Sequence, residues 1–202
     1  MNPLSGTLIV FEGIDGTGKS TQVHLLADAL RKQGHTVVTS FEPTNGPAGQ
    51  RLRQSMREGR LSPQQELDLF HEDRRHHVET LINPALQRGE TVILDRYYFS
   101  TLAYQGTRGF NIDELRQLNE SFAPQPNLLF ILELDIETAL SRIGVRDGQG
   151  NDFEKHETLS ACAKTFSQLQ GDFIHRLSAD QPPADLHQQV LATILAASQP
   201  QP

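Results

Sequence analysis

The sequence predicts an α/β protein: a parallel sheet of about five strands with helices packed on both faces. Three observations lead there. Short apolar runs alternate with stretches of helical period along the chain, and that alternation forces crossover helices and hence parallel strands. The first run feeds a glycine turn and then a helix, in LIVFEGIDGTGKST over 8–21. Carboxylates also gather where the runs end, with Asp15 after the first, Glu42 after the second, Asp95 after the third and Asp135 after the fourth. Ligands of such sheets sit at that edge.

The opening segment reads as a P-loop. Gly13, Ile14, Asp15, Gly16 and Thr17 lead to Gly18-Lys19-Ser20-Thr21. Glycines let the backbone take positive φ and turn its N–H groups toward an anion. Lys19 can reach the β- and γ-phosphates of a triphosphate, and the Ser20 hydroxyl can ligate Mg²⁺.

Behind it, Ser20 to Gln33 carries Val23, Leu25, Leu26, Ala29 and Leu30 at helical spacing, with Gly34 as the stop. Thr36 to Phe41 is the second strand, closed by Glu42-Pro43. Pro47 to Glu58 is a helix bearing Arg51, Arg53 and Arg57, and Arg60 follows in a loop. Ser62-Pro63-Gln64-Gln65 forms a capping box that opens a long helix to about Ile82, interrupted or kinked at Asn83-Pro84. Thr91 to Leu94 is the third strand, closed by Asp95-Arg96. Tyr97 to Gly106 and Asn111 to about Phe122 are helices, and Leu128 to Leu134 is a strand buried on both faces. Asp135 caps a helix through Ile143. Gly144 to Asp152 has neither period nor apolar content, so it reads as a mobile loop, a candidate lid over about 144–154. A helix from near Glu154 to about Leu169, a weak strand from Phe173 to Leu177, a helix from Pro182 to Ala197 and a frayed tail over 198–202 complete one domain spanning 1–202.

Net charge is −7, which disfavours a broad nucleic-acid-binding face. Fourteen of the eighteen cationic residues are Arg. Arg grips phosphate or carboxylate through a planar fork, so local anion sites are expected in an acidic protein, with a solvated Arg-rich surface as the other reading. The lone Cys162 excludes an intrachain disulfide and fits a reducing compartment. MNPLSGT carries no positive charge beyond its amino terminus and the apolar run near the start is only Leu8 to Phe11. Neither signal peptide nor membrane span is expected, and the expected location is cytoplasmic.

On the long helix, Leu67, Phe70, Arg74, Val78 and Leu81 share one face. A charge inside an apolar stripe either lays its stem flat and frees its head, or finds an anionic or polar partner. Phe70, one turn earlier, offers a flat ring suited to a planar base. His71, Glu72, Asp73, His76 and His77 lack metal-ligand spacing and read as a solvated helical face.

GIDGTGKS at 13–20, LFHEDR at 69–74 and DRYYFSTLAYQG at 95–106 together resemble thymidylate kinase, a family that phosphorylates dTMP with ATP on a P-loop NTPase fold. Thr36 to Phe41 with Glu42-Pro43, and Leu132 to Arg142, are similar too, so the resemblance spans most of the chain. It implies that residues 13–21 hold ATP, with Arg142 and Ala179 on the adenine side, and that Mg²⁺ sits by Ser20 with Asp95 acting through water. It further implies that Phe70 stacks on thymine, Arg74 bonds its edge and Thr101 faces the base. Tyr104 would pack under the sugar where a 2′-hydroxyl would clash, while Arg96 and Arg53 hold the acceptor phosphate. Glu42, Pro43 and Gln105 join that site, and Asp15 meets the 3′-hydroxyl or Arg96.

Catalysis then falls to Lys19, Arg96, Asp15 and a lid arginine. Here the sequence departs from the family pattern. The P-loop position that some members fill with Arg is Gly16, and the lid motif Asp-Arg-Phe-Glu reads Asp152-Phe153-Glu154. Arg146 is the substitute, unless it is a solvated loop charge. The resemblance also implies a homodimer through helices beside the sheet. A deoxynucleoside kinase or another nucleoside monophosphate kinase on this fold is the rival reading. A guanine-nucleotide switch would need an Asn-Lys-x-Asp motif, and a motor ATPase more often ends its third strand Asp-Glu.

Overall fold

The structure, a computed structural model, describes residues 6–147 and 152–197, and their side chains except those of 145–147 and 152–155. The expected tail 198–202 and the middle of the expected lid, 148–151, lie outside the described residues. Strands β1 (Leu8–Glu12), β2 (Val37–Phe41), β3 (Thr91–Asp95), β4 (Leu128–Glu133) and β5 (Ile174–Ser178) form one parallel sheet in the order β2-β3-β1-β4-β5. The helices are α1 (Lys19–Lys32), α2 (Pro47–Glu58), α3 (Pro63–His77), α4 (Asn83–Gln87), α5 (Tyr98–Gly106), α6 (Ile112–Glu120), α7 (Ile136–Asp147), α8 (Asp152–Gln168) and α9 (Pro183–Ala197).

Every residue of β1 is buried, and alternate residues serve different cores. Leu8 and Val10 pack with Leu102, Leu115, Leu159 and Phe166 under α5, α6 and α8. Ile9 and Phe11 pack with Leu26, Leu30, Val190 and Ile194 under α1 and α9. This is why the strand reads as an unbroken apolar run. From β1 the chain crosses to the β2 edge, returns to β3, then passes over to β4, so a crevice opens beyond the carboxyl ends of β1 and β3. The register pairs Phe11 with Asp95 there.

Two elements differ from expectation. The long helix stays helical through Asn83-Pro84, because a π-helical turn at Val78–Ile82 joins α3 to α4. Pro84 has no N–H and its ring would crowd the carbonyl four residues back, and a widened turn relieves both. Both ends of the expected loop are helical instead, since α7 runs on to Asp147 and α8 begins at Asp152. Gly144, which nothing crowds among the described residues, lowers helix propensity without breaking the helix, and Val145 to Asp147 contain no breaker.

Candidate active site

The glycine turn is pressed against its neighbours. Gly13, Gly16 and Gly18 take φ of 135°, 86° and 86°. A Cβ on Gly13 would lie 2.4 Å from the Leu132 carbonyl oxygen, and one on Gly16 2.7 Å from that of Ala139. The Thr17 hydroxyl donates to Ile14 O at 2.9 Å. Lys19 is buried and donates from Nζ to Gly13 O at 3.0 Å and Ile14 O at 2.9 Å. Burial, then the charge of Arg96, pushes its pKa down to about 8 against the pull of Asp15, Asp95 and Glu12. Ser20 Oγ donates to Asp95 Oδ2 across the crevice, and Thr21 is exposed on α1. Arg142 reaches the back of the loop, with Nη1 donating to Gly16 O at 3.3 Å and to Ala179 O at 3.2 Å.

At the exit of β3 the chain turns sharply. Arg96 has φ 69°, and its N–H is held by Phe11 O at 2.9 Å. Its Nη2 donates to Asp15 Oδ1 at 2.8 Å and its Nη1 to Ser100 Oγ at 2.9 Å. The guanidinium lies 5.3 Å from the Tyr104 ring centroid, and the Tyr104 hydroxyl approaches Asp15 Oδ2 at 3.4 Å. Glu12, which sequence reasoning passed over, lies fully buried beneath this corner and accepts from Tyr97 N, Ser100 N and Ser100 Oγ. Burial raises its pKa, against Arg96 and those donors. The signal for it was a charge closing an otherwise apolar run, LIVFE.

Arg74 is only 1% exposed, so it does not snorkel. Its partners come from the chain itself: Nε donates to Glu42 Oε2 at 2.8 Å, Nη1 to Asn119 Oδ1 at 2.6 Å and Nη2 to Thr101 Oγ1 at 2.9 Å. Glu42 Oε1 also faces His77 Nδ1 at 3.0 Å. Burial alone would raise the Glu42 pKa, but Arg74 and His77 outweigh it and hold the carboxyl below its ordinary range. Gln105, one turn after Thr101, is buried, and its Oε1 has no hydrogen-bond partner among the described residues. Phe70 is half-buried against Ala48, Leu52 and Leu69. Arg53 is held by Pro43 O at 2.6 Å and Asn45 Oδ1 at 3.0 Å.

The solvated face expected on α3 needs correcting. Asp73 is buried, accepting from Thr44 N and Thr44 Oγ1, both at 2.6 Å. His77 is buried between Glu42 and Ser40. The segment following β2 folds over this flank of the helix and takes its hydrogen bonds from it. His71 is half-buried, and burial with the charges of Arg74 and Arg75 pushes its pKa down to about 4. Only Glu72 and His76 are exposed as expected.

A family model described as thymidylate kinase matches residues 11–190. The chain belongs to the thymidylate kinase family. Three similar relatives all carry the name thymidylate kinase. That of Desulfotalea psychrophila is 48% identical over 178 residues, covering 87% of this chain and 88% of the relative. That of Xanthomonas campestris pv. campestris is 48% identical over 192 residues, covering 95% and 84%. That of Akkermansia muciniphila is 49% identical over 175 residues, covering 87% and 84%.

In this thymidylate kinase family member most of the expected residues fall into two linked groups, while Arg53, on Pro43 and Asn45, and Phe70, against Ala48, Leu52 and Leu69, are placed by contacts outside both. Residues 13–20 join Asp95, Arg96, Tyr104 and the Arg142–Ala179 contact at the crevice. Arg74, Thr101 and Glu42 form the second group, joined to the first through Tyr97, whose ring lies 5.7 Å from the Arg74 guanidinium and whose N–H bonds Glu12. Glu42 turns inward onto Arg74. The Arg146 backbone belongs to α7, and Asp152-Phe153-Glu154 begins α8; their side chains lie outside the described residues.

Proposed function

We propose that this chain transfers the γ-phosphoryl group of ATP to dTMP, giving dTDP and ADP. Family membership supports the reaction, and one observation carries it to this site. Arg96, tied to Asp15 inside the P-loop at 2.8 Å, gives the triphosphate loop a cation for a second phosphate. Arg96 and Lys19 are near enough that the one lowers the pKa of the other, as expected where donor and acceptor phosphates meet.

Phosphoryl transfer asks the protein for alignment and charge neutralisation, with little covalent chemistry. Lys19 leaves the Gly13 and Ile14 carbonyls for the β- and γ-phosphates, around which the loop N–H groups converge. Arg96, helped by Arg53, holds the acceptor phosphate. Phe70 stacks on thymine, Arg74 and Thr101 read its edge, and Glu42 keeps Arg74 in place. Pro43 and Gln105 complete the pocket, and Tyr104 excludes a 2′-hydroxyl. Asp15 orients Arg96 or the 3′-hydroxyl. Arg142 and Ala179 flank adenine, and Arg146 supplies the remaining cation from a lid that keeps water from the γ-phosphate.

Ser20 and Asp95 fit Mg²⁺, because a hydroxyl and a carboxylate oxygen in contact are the hard donors that ion prefers. When bound there it neutralises charge on the phosphates. No described helix is long and apolar enough to cross a membrane, and a free buried Cys162 supports a reducing, cytoplasmic location. The resemblance to the family supports a homodimer formed through helices beside the sheet.

The test is ADP release with MgATP and dTMP, dUMP, dCMP, AMP or thymidine. The expected result is fastest turnover of dTMP, and thymidine turned over as fast as dTMP would overturn the reading. Arg146→Ala should lower turnover more than it weakens dTMP binding; unchanged turnover removes Arg146 from the mechanism.

A further inference from the structure

Helix α5 begins without a cap of its own. Its N-cap residue, Tyr97, makes no side-chain cap bond. The acceptor arrives from another element, the last residue of β1. Glu12 Oε1 accepts from Tyr97 N at 2.7 Å and Ser100 N at 2.9 Å, and Oε2 accepts from Ser100 Oγ at 2.6 Å. A carboxylate with several acceptor sites can take all three donors.

The direction of the next bond follows from chemistry. A guanidinium only donates, so Ser100 Oγ accepts from Arg96 Nη1 at 2.9 Å and must give its single hydrogen to Glu12. Arg96 Nη2 is meanwhile tied to Asp15. With both Nη atoms anchored, the guanidinium plane is set before any ligand arrives. The same carboxylate fixes the backbone just after Arg96, whose φ of 69° is one that a non-glycine residue keeps only where its surroundings over-determine it. Glu12 thus pins the corner, and through Ser100 it pins the fork.

We propose that Glu12 and Ser100 are positioning residues that aim Arg96 at the acceptor phosphate, with the Ser100 hydroxyl as the relay between carboxylate and guanidinium. The inference rests on the reading above that Arg96 holds that phosphate. Fixing a ligand-gripping side chain in advance lowers the ordering cost of binding.

Ser100→Ala removes the relay while its N–H stays on Glu12, so α5 keeps its cap. Ser100→Thr restores a hydroxyl. Titration calorimetry of the full chain with dTMP and with thymidine reads the effect, because thymidine has the base and sugar but no phosphate. Ser100→Ala should weaken dTMP about tenfold, as loss of a hydrogen bond to a charged group does. Thymidine binding should not change, and Ser100→Thr should recover most of the dTMP affinity. Equal weakening of both ligands would mark Ser100 as merely structural, and no change in either would leave it idle; each result overturns the proposal. Arg96→Ala separates the two failures. If it affects dTMP and thymidine alike, the phosphate role of Arg96 is wrong; if it affects dTMP alone and Ser100→Ala does not, only the positioning role is wrong.

Discussion

Arg74 and Glu42 stand 32 residues apart in sequence and meet at 2.7 Å, Nη2 to Oε2, with their side chains 1% and 4% exposed. Without Glu42 the buried Arg74 would keep only the neutral Asn119 and Thr101, and without Arg74 the buried Glu42 would keep only His77. Glu42→Gln and Arg74→Ala should each cost about 3–5 kcal/mol, the usual penalty for breaking a buried ion pair from one side. Urea denaturation measures it, and a loss below about 1 kcal/mol would place the pair with weak surface pairs instead. The folded protein holds the Glu42 pKa below its ordinary 4.5, so the contribution of this carboxylate is present above that pH and is lost as pH falls beneath it.

Lys19 carries a different pH signature. Its pKa is pushed down to about 8, so near pH 8 about half of the free protein has a neutral Lys19. Triphosphate binding favours the ammonium and should therefore take up a proton. Calorimetry of a non-hydrolysable ATP analogue in buffers of different ionisation heat should show uptake near pH 8, with affinity falling by up to about tenfold per further pH unit. Lys19→Met should abolish the uptake. Persistence of the uptake in Lys19→Met would assign the proton to another group.

How much of this was legible differs by element. The sheet announced itself because strands covered on both faces need continuous apolar runs, as Leu128–Glu133 shows. The Ser62 capping box is local and therefore legible. The stripe shows that Arg74 either snorkels or takes a polar partner, but Glu42 and Asn119, 32 and 45 residues away, leave no periodic trace. The burial of Asp73 and His77 is not legible, because helical period identifies the stripe facing the core and says nothing about a segment covering the flank. Asn83-Pro84 announced a break. That the break is a widened turn depends on Val78 and Ile82 staying in the core.

Glu66 should prove a stability residue. It is fully buried on α3, with Arg60 at 3.0 Å on Oε1 and Arg108 on Oε2, so it ties the start of that helix to the segment after α5. The Arg60 side chain is 59% exposed and can return to water, whereas that of Arg108 is 19% exposed. Glu66→Gln should cost about 1–3 kcal/mol, Arg108→Ala nearly as much, and Arg60→Ala about 1 kcal/mol or less. Denaturation midpoints in the reverse order would contradict this assignment.

Gly16 bears on where a second transition-state cation could stand. Its φ is 86°, and a Cβ there would lie 2.7 Å from the Ala139 carbonyl oxygen. Any side chain would strain the loop and drive into α7, which must shift or the loop must deform. Gly16→Ala should cost about 1–3 kcal/mol, from backbone strain and overpacking together. Gly16→Arg meets the same obstacle before its guanidinium can reach a phosphate. Placed in an Arg146→Ala background, Gly16→Arg should therefore fail to restore single-turnover dTDP formation. Full restoration would show that α7 yields, and that the P-loop of this chain can carry its own arginine.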